Sequence, residues 1–146
     1  EVDREVASIT REQEPVRRLM QLNGIGPLIA SALYALVGDA RQYRNGRDLA
    51  VALGLTPRQH SSGGKEKLLG ISKRGDKYVR TLLIHGARSA LRTAPSRTDR
   101  ISRWALALAE RSHPNVAVTA LANKTARVAW AMLRHGANYE PERVVA

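Results

Sequence analysis

The stretch GLTPRQHSSGGKEKLLGISKRGD, from Gly54 to Asp76, holds the residues of this chain best suited to chemistry. Ser61 and Ser62 precede Gly63 and Gly64, and Arg58, Lys65, Lys67, Lys73 and Arg74 surround them, against only Glu66 and Asp76. Serine attack on a phosphodiester needs an activated hydroxyl and positive charge on the phosphoryl oxygens. Glycines let the backbone come close to a substrate. The lysines and arginines, with Lys77 and Arg80 just beyond them, could supply the charge. His60 could in principle act as base, but no acid is placed to orient it, which argues against a hydrolase-type Ser-His-Asp triad. Residue types alone leave two readings open: a flexible basic linker, or a loop that holds a serine against a phosphate. Of these the linker is the stronger.

Other chemistries find less support. Asp39, Asp48 and Asp76 are scattered, and no carboxylate or histidine pair has metal-ligand spacing, so no metal site is expected here. His60, His85, His113 and His135 are isolated and read as structural or solvated. With no cysteine there is no disulfide, thiolate site or thiol nucleophile, which suits a reducing, cytoplasmic setting. No signal peptide is visible. The net charge is +11 from 24 Lys and Arg, and it is uneven: residues 1–15 hold five acidic and two basic side chains, so the basic excess lies beyond them. Such a domain most naturally meets a polyanion, because each neutralised phosphate releases counterions. An anionic membrane is the rival partner, but no long apolar run or lipidation signal accompanies the charge. The plainest alternative is a basic solvated surface.

The elements that must position the loop are helical by pattern. At 146 residues and 43% hydrophobic, the chain has the size and composition of one domain with a real core. It has no Phe, two Trp and four Tyr, so that core must be built from Ala, Leu, Val and Ile. Val2, Val6, Ile9, Gln13, Val16 and Met20 alternate at spacings of four and three. We read residues 1–20 as the end of a connecting, coiled-coil-like helix under way at Glu1, with a preceding domain expected. A helix packed on its own domain is the alternative. Residues 21–141 form the helical domain proper and 142–146 a loose tail.

Gly24-Ile25-Gly26 reads as a tight hairpin between two helices, with Pro27 suited to the first turn of the second. This is the pattern of a helix–hairpin–helix module, whose glycines let backbone N–H groups reach a phosphate. A plain turn is the alternative. Helices are further expected over Asn45–Leu55, Asp76–Arg92, Ile101–Arg111 and Asn115–His135. A small β-hairpin is allowed around Lys67–Ser72. In the Asp76–Arg92 helix, Tyr78, Val79, Leu82, Leu83, Ala87, Ala90 and Leu91 should face inward. The expected class is therefore mainly α, with a basic Ser/Gly loop.

Three stretches, LNGIGPLIASAL, LAVALGLTPRQHSSGGKEKLLGISKRGDKYVRTLLIHGA and ALANKTARVAWAMLRHGANYEP, occur in this order. Together they resemble the C-terminal transposase domain of the insertion-sequence 110/116/902 family, over most of Val16–Pro141. The resemblance implies a serine nucleophile that forms a phosphoserine link to DNA. The serine before glycine falls on Ser62, with Ser61 the fallback. Lys73, Arg74 and Arg80 fall on basic positions, and Gly24 and Gly26 on the hairpin. It also implies a companion RNase-H-like domain holding a divalent metal, expected to be Mg, which this chain does not contain. DNA, a structured guide RNA and a homo-oligomer formed through the coiled-coil segment are the implied partners. The chain alone should then be unable to cleave DNA. A non-catalytic helix–hairpin–helix module and a basic oligomerisation domain are the competing readings.

Overall fold

The structure, a computed structural model, describes residues 1–62, 65–73 and 75–142. At positions 6, 7, 9–11, 58–62 and 65–70 it describes the backbone alone. The fold is mainly α. In chain order it comprises α1 (Val2–Glu12), α2 (Glu14–Leu19), α3 (Pro27–Val37), α4 (Gly46–Ala52), strands β1 (Pro57–Ser62) and β2 (Lys65–Ile71), α5 (Lys77–Thr93), α6 (Arg100–Arg111) and α7 (Pro114–His135). Short 3-10 turns occupy Ala40–Gln42 and Ala94–Ser96.

The helix ends follow from local chemistry. Asn45, Asp76 and Asp99 each cap a helix by accepting from a backbone N–H three residues on, those of Asp48, Val79 and Ser102. Pro27 opens α3, where its missing N–H costs nothing. Gly136 ends α7 in the left-handed region, its N–H donating to the Met132 carbonyl.

Packing is organised around α7, which lies against α4, α5 and α6. Its inward face, from Val118 through Leu121, Ala122, Ala126 and Ala129 to Met132, joins Leu49, Leu53, Val79, Leu83 and Ala87 in one buried cluster. Without phenylalanine, the core is filled by leucine and close helix approach. Gly46 lies so near the Arg127 backbone that a Cβ there would stand 2.9 Å from both its Cα and its carbonyl oxygen. The Trp130 indole donates to the Ala40 carbonyl at 2.8 Å, tying α7 to the turn after α3.

Residues 1–20 form two helices rather than one. The break falls at Gln13, which is extended (φ −104°, ψ 105°), and Pro15 sits in the first turn of α2. A proline there cannot donate to the preceding turn, so a continuous helix would lose a bond at that point. Beyond the break, Val16 and Leu19 are fully buried in the core of this domain. At the other end, the Arg100 N–H donates to the Pro141 carbonyl and Arg103 pairs with Glu142, so the chain to residue 142 is held against α6. Residues 143–146 of the expected tail lie outside the described residues. Among the described residues, no helix is long and apolar enough to cross a membrane.

Candidate functional site

The Ser/Gly segment is carried by a two-stranded antiparallel ribbon. Ser62 pairs with Lys65, Ser61 with Glu66, His60 with Lys67, Gln59 with Leu68 and Pro57 with Ile71, with an irregularity between Pro57 and Gln59 that takes in Arg58. The pairing is longer than the hairpin expected around Lys67–Ser72, because residues 57–62, read as part of the loop, form its first strand. Strand periodicity puts positions 61 and 62 on opposite faces of the ribbon and positions 60 and 62 on the same face.

The ribbon is fixed at its base by bonds to the short segment that follows α4. The Ser72 N–H donates to the Thr56 carbonyl at 2.8 Å and the Lys73 N–H to that of Gly54 at 3.1 Å. From α7, the Asn123 side-chain amide donates to the Leu55 carbonyl at 3.0 Å. From α5, Arg80 Nη1 donates to the Leu53 carbonyl at 3.3 Å. Leu53 and Leu55 are buried, so each carbonyl needs a protein partner. Two backbone conformations close the base. Lys73 adopts φ 57° and Gly75 φ 85°, and a Cβ on Gly75 would stand 1.8 Å from the Ala52 carbonyl oxygen.

The candidate residues therefore fall into distinct places. Ser61, Ser62, Lys65, Lys67 and Arg58 share the ribbon. Lys73 stands exposed at its base, and Lys77 is exposed on the first turn of α5. Arg74, like Gly63 and Gly64, lies outside the described residues. Arg80 is only 8% exposed and tethers the ribbon base. Tyr78, expected to face inward, is 58% exposed, because the inward stripe of α5 runs through Val79, Leu83, Ala87 and Ala90 and leaves position 78 beside it. Gly24 (φ 86°) packs against Gly86 of α5, where a Cβ would meet the Gly86 carbonyl oxygen at 2.2 Å, while Gly26 faces open space. Gly86 lies nine residues along α5 from Lys77, about 13 Å at helical rise, which separates the Gly24 turn from the ribbon base. Asn123 and Gly75 were not foreseen, since their contacts are set by distant segments.

Lys73 offers a test of whether its unusual backbone is kept for its side chain. A left-handed non-glycine residue costs about 1–2 kcal/mol. Lys73→Gly should therefore raise stability by up to about 1 kcal/mol after glycine's own entropic cost, as read by urea denaturation. A fall in stability would mean that the side chain itself holds the base.

The charge at this end comes from cations. Burial and the neighbouring Asp99 charge push Tyr139 up to about 12, near the junction of α5 and α6. Among the described residues, no three His, Asp or Glu side chains cluster so as to hold a metal ion. The described residues thus offer no divalent-cation site.

A helical domain with a basic serine ribbon is the class that the geometry defines. The chain matches the family model for the transposase IS116/IS110/IS902 family over residues 16–102 and belongs to that family. It is 50% identical over 140 residues to a probable family 20 transposase of Pseudomonas aeruginosa, covering 96% of this chain and 41% of the relative. It is 47% identical over 137 residues to the transposase for insertion sequence element IS1111A of Coxiella burnetii, covering 94% and 38% respectively. A transposase for IS1328 from Yersinia enterocolitica is 41% identical over 136 residues, with 93% and 41% covered. The chain thus spans about two-fifths of the length of these relatives.

Proposed function

We propose that this chain is the serine-bearing part of a DNA transposase, with Ser62 as the nucleophile and Ser61 as the alternative. Ser62 Oγ attacks a phosphorus of the DNA backbone. The Oγ–P bond forms as the bond from phosphorus to the leaving sugar oxygen breaks. One proton is lost from the serine and one is gained by the leaving hydroxyl. The phosphoserine link keeps the energy of the broken diester, so attack by a sugar hydroxyl can reverse the step and rejoin strands. Lys65, Lys67, Lys73, Arg74 and Lys77 offset the phosphoryl charge. An RNase-H-like domain outside these 146 residues completes the site and holds the divalent cation, Mg, and a structured RNA pairs with the DNA. Residues 1–12, before the break at Gln13, lead toward that domain and serve oligomerisation.

The observation that carries this reading is the placement of Ser62 at the end of β1, beside the paired Lys65, on a ribbon anchored to the core of a transposase-family domain. The alternation of positions 61 and 62 makes the two serines distinguishable. In the full-length enzyme, Ser62→Ala should abolish covalent protein–DNA adducts on denaturing gels and recombination with them. Ser61→Ala should leave adducts in place. Adducts undiminished in Ser62→Ala, and lost in Ser61→Ala, would move the nucleophile to Ser61. Salt-sensitive DNA binding with no adduct from the parent enzyme would instead favour a non-catalytic binding module.

A further inference from the structure

Beside the ribbon base, α6 and α7 border an open cleft of about 280 Å³. Pro57 and Ile71, the residues where the two strands begin and end, form one wall, and Trp104 of α6 stands in another. Val116, Lys124 and Arg127 of α7 supply the rest of the chemistry. Lys124 Nζ lies 4.6 Å from the centre of the Trp104 ring, over its face. Lys124 and Arg127 are three apart on one helix and so are neighbours in space. Among the described residues, no carboxylate lines the cleft. Burial, and then the charge of Arg127, lower the pKa of Lys124. Two neighbouring cations, one half-buried, thus line one cleft, and a bound anion would offset the burial and repulsion felt by Lys124.

We propose that this cleft seats a backbone segment of a nucleic-acid strand, with one phosphate between Lys124 and Arg127 and the adjoining sugar and base against Trp104 and Val116. An anion with an apolar flank is what the walls ask for: cations for phosphate, a ring and a valine for the sugar and base. Continuity with the ribbon selects a nucleic acid over other anions, because the strands that carry Ser62 start from the cleft wall. Five residues of strand from Pro57 to Ser62 span about 17 Å, or about five nucleotides at duplex spacing. A single strand could therefore meet the serine and the cleft together. The inference rests on the ribbon facing nucleic acid, but not on Ser62 being a nucleophile.

The test is fluorescence anisotropy on the 146-residue chain with a labelled single-stranded DNA and an RNA of the same sequence. Lys124→Glu should weaken binding at least tenfold and flatten the salt dependence by about 0.7 in log–log slope, the contribution of one single-strand phosphate. Val116 is 51% exposed at the cleft, so changes there spare the core. Val116→Asp should weaken binding and Val116→Lys should tighten it, which decides the matter even where Lys124→Glu fails to fold. A loss confined to the DNA or to the RNA supports the cleft and identifies its strand. Lys124→Glu and Val116→Asp binding within twofold of the parent would overturn the proposal. So would displacement of both strands by polyglutamate with the same dependence on Lys124, since that marks a site for any polyanion. Ser62→Ala should bind like the parent, so a failed cleft and a failed nucleophile give different results.

Discussion

Gly75→Ala is expected to cost about 3 kcal/mol or more and to lower the melting temperature by roughly 10 °C. Two independent terms contribute. At φ 85° a side chain is strained wherever it points, at about 1–2 kcal/mol. Its Cβ would also lie 1.8 Å from the Ala52 carbonyl oxygen, and because that neighbour is backbone, no rotamer change relieves the clash. Overpacking of this kind adds about 1–3 kcal/mol. Against a total stability of about 5–15 kcal/mol, the loss is large. Gly38 supplies a comparison: it lies at φ 54°, ψ −113° with open space around its Cβ position, so Gly38→Ala should show a backbone term alone, about 1–3 kcal/mol. Gly26→Ala, with neither term, should be close to neutral. A loss at position 75 of no more than about 2 kcal/mol, by thermal or urea unfolding, would remove the steric contribution.

The second large effect concerns Gly86, and here the sign is diagnostic. An alanine in place of glycine inside a helix ordinarily gains about 1 kcal/mol. Gly86 lies within α5, so propensity alone forecasts a stabilised protein. In the fold, however, its Cβ would come within 2.4 Å of the Gly24 carbonyl oxygen, again a backbone atom. Gly86→Ala should therefore lose about 2 kcal/mol or more, lowering the urea midpoint with little change in slope. Gly24→Ala should lose more, since its φ of 86° adds backbone strain to the reciprocal clash. A stabilised Gly86→Ala variant would show that α5 and the Gly24 turn do not approach as described.

These glycines mark the limit of what was legible from residue order. The helices were readable because their signals are local: the inward stripe of α7, the acid at Asp76, the glycine after His135. The contact between Gly24 and Gly86 joins residues far apart in the chain, so Gly86 looked like an ordinary small residue within a helical pattern. Gly24 could be read as a turn former open to phosphate or as a plain turn, but its partner Gly86 could not be named. Arg80 shows the same limit. A cation beside a basic loop suggests phosphate, but the fold turns it toward the Leu53 carbonyl, left without a helical partner at the end of α4. The ribbon was only half seen. Ser-Gly-Gly-Lys carries a two-residue hairpin signal, but the serine, histidine and proline of Pro57–Ser62 have weak strand propensity and made that stretch read as loop. The cleft escaped notice because Trp104, Lys124 and Ile71 converge on it from three elements.

The four hydrogen bonds at the ribbon base have a mechanical consequence. They make the ribbon a lever clamped at one end, its fulcrum beside the Trp104–Lys124 cleft and its tip at Ser62. Over an arm of about 17 Å, a tilt of about five degrees at the clamp moves the tip by about 1.5 Å. Displacements of that size separate reactive from unreactive alignments, about 1 Å being enough to cost a hundredfold in rate. Small changes at the clamp are thus magnified into large changes in where the serine stands.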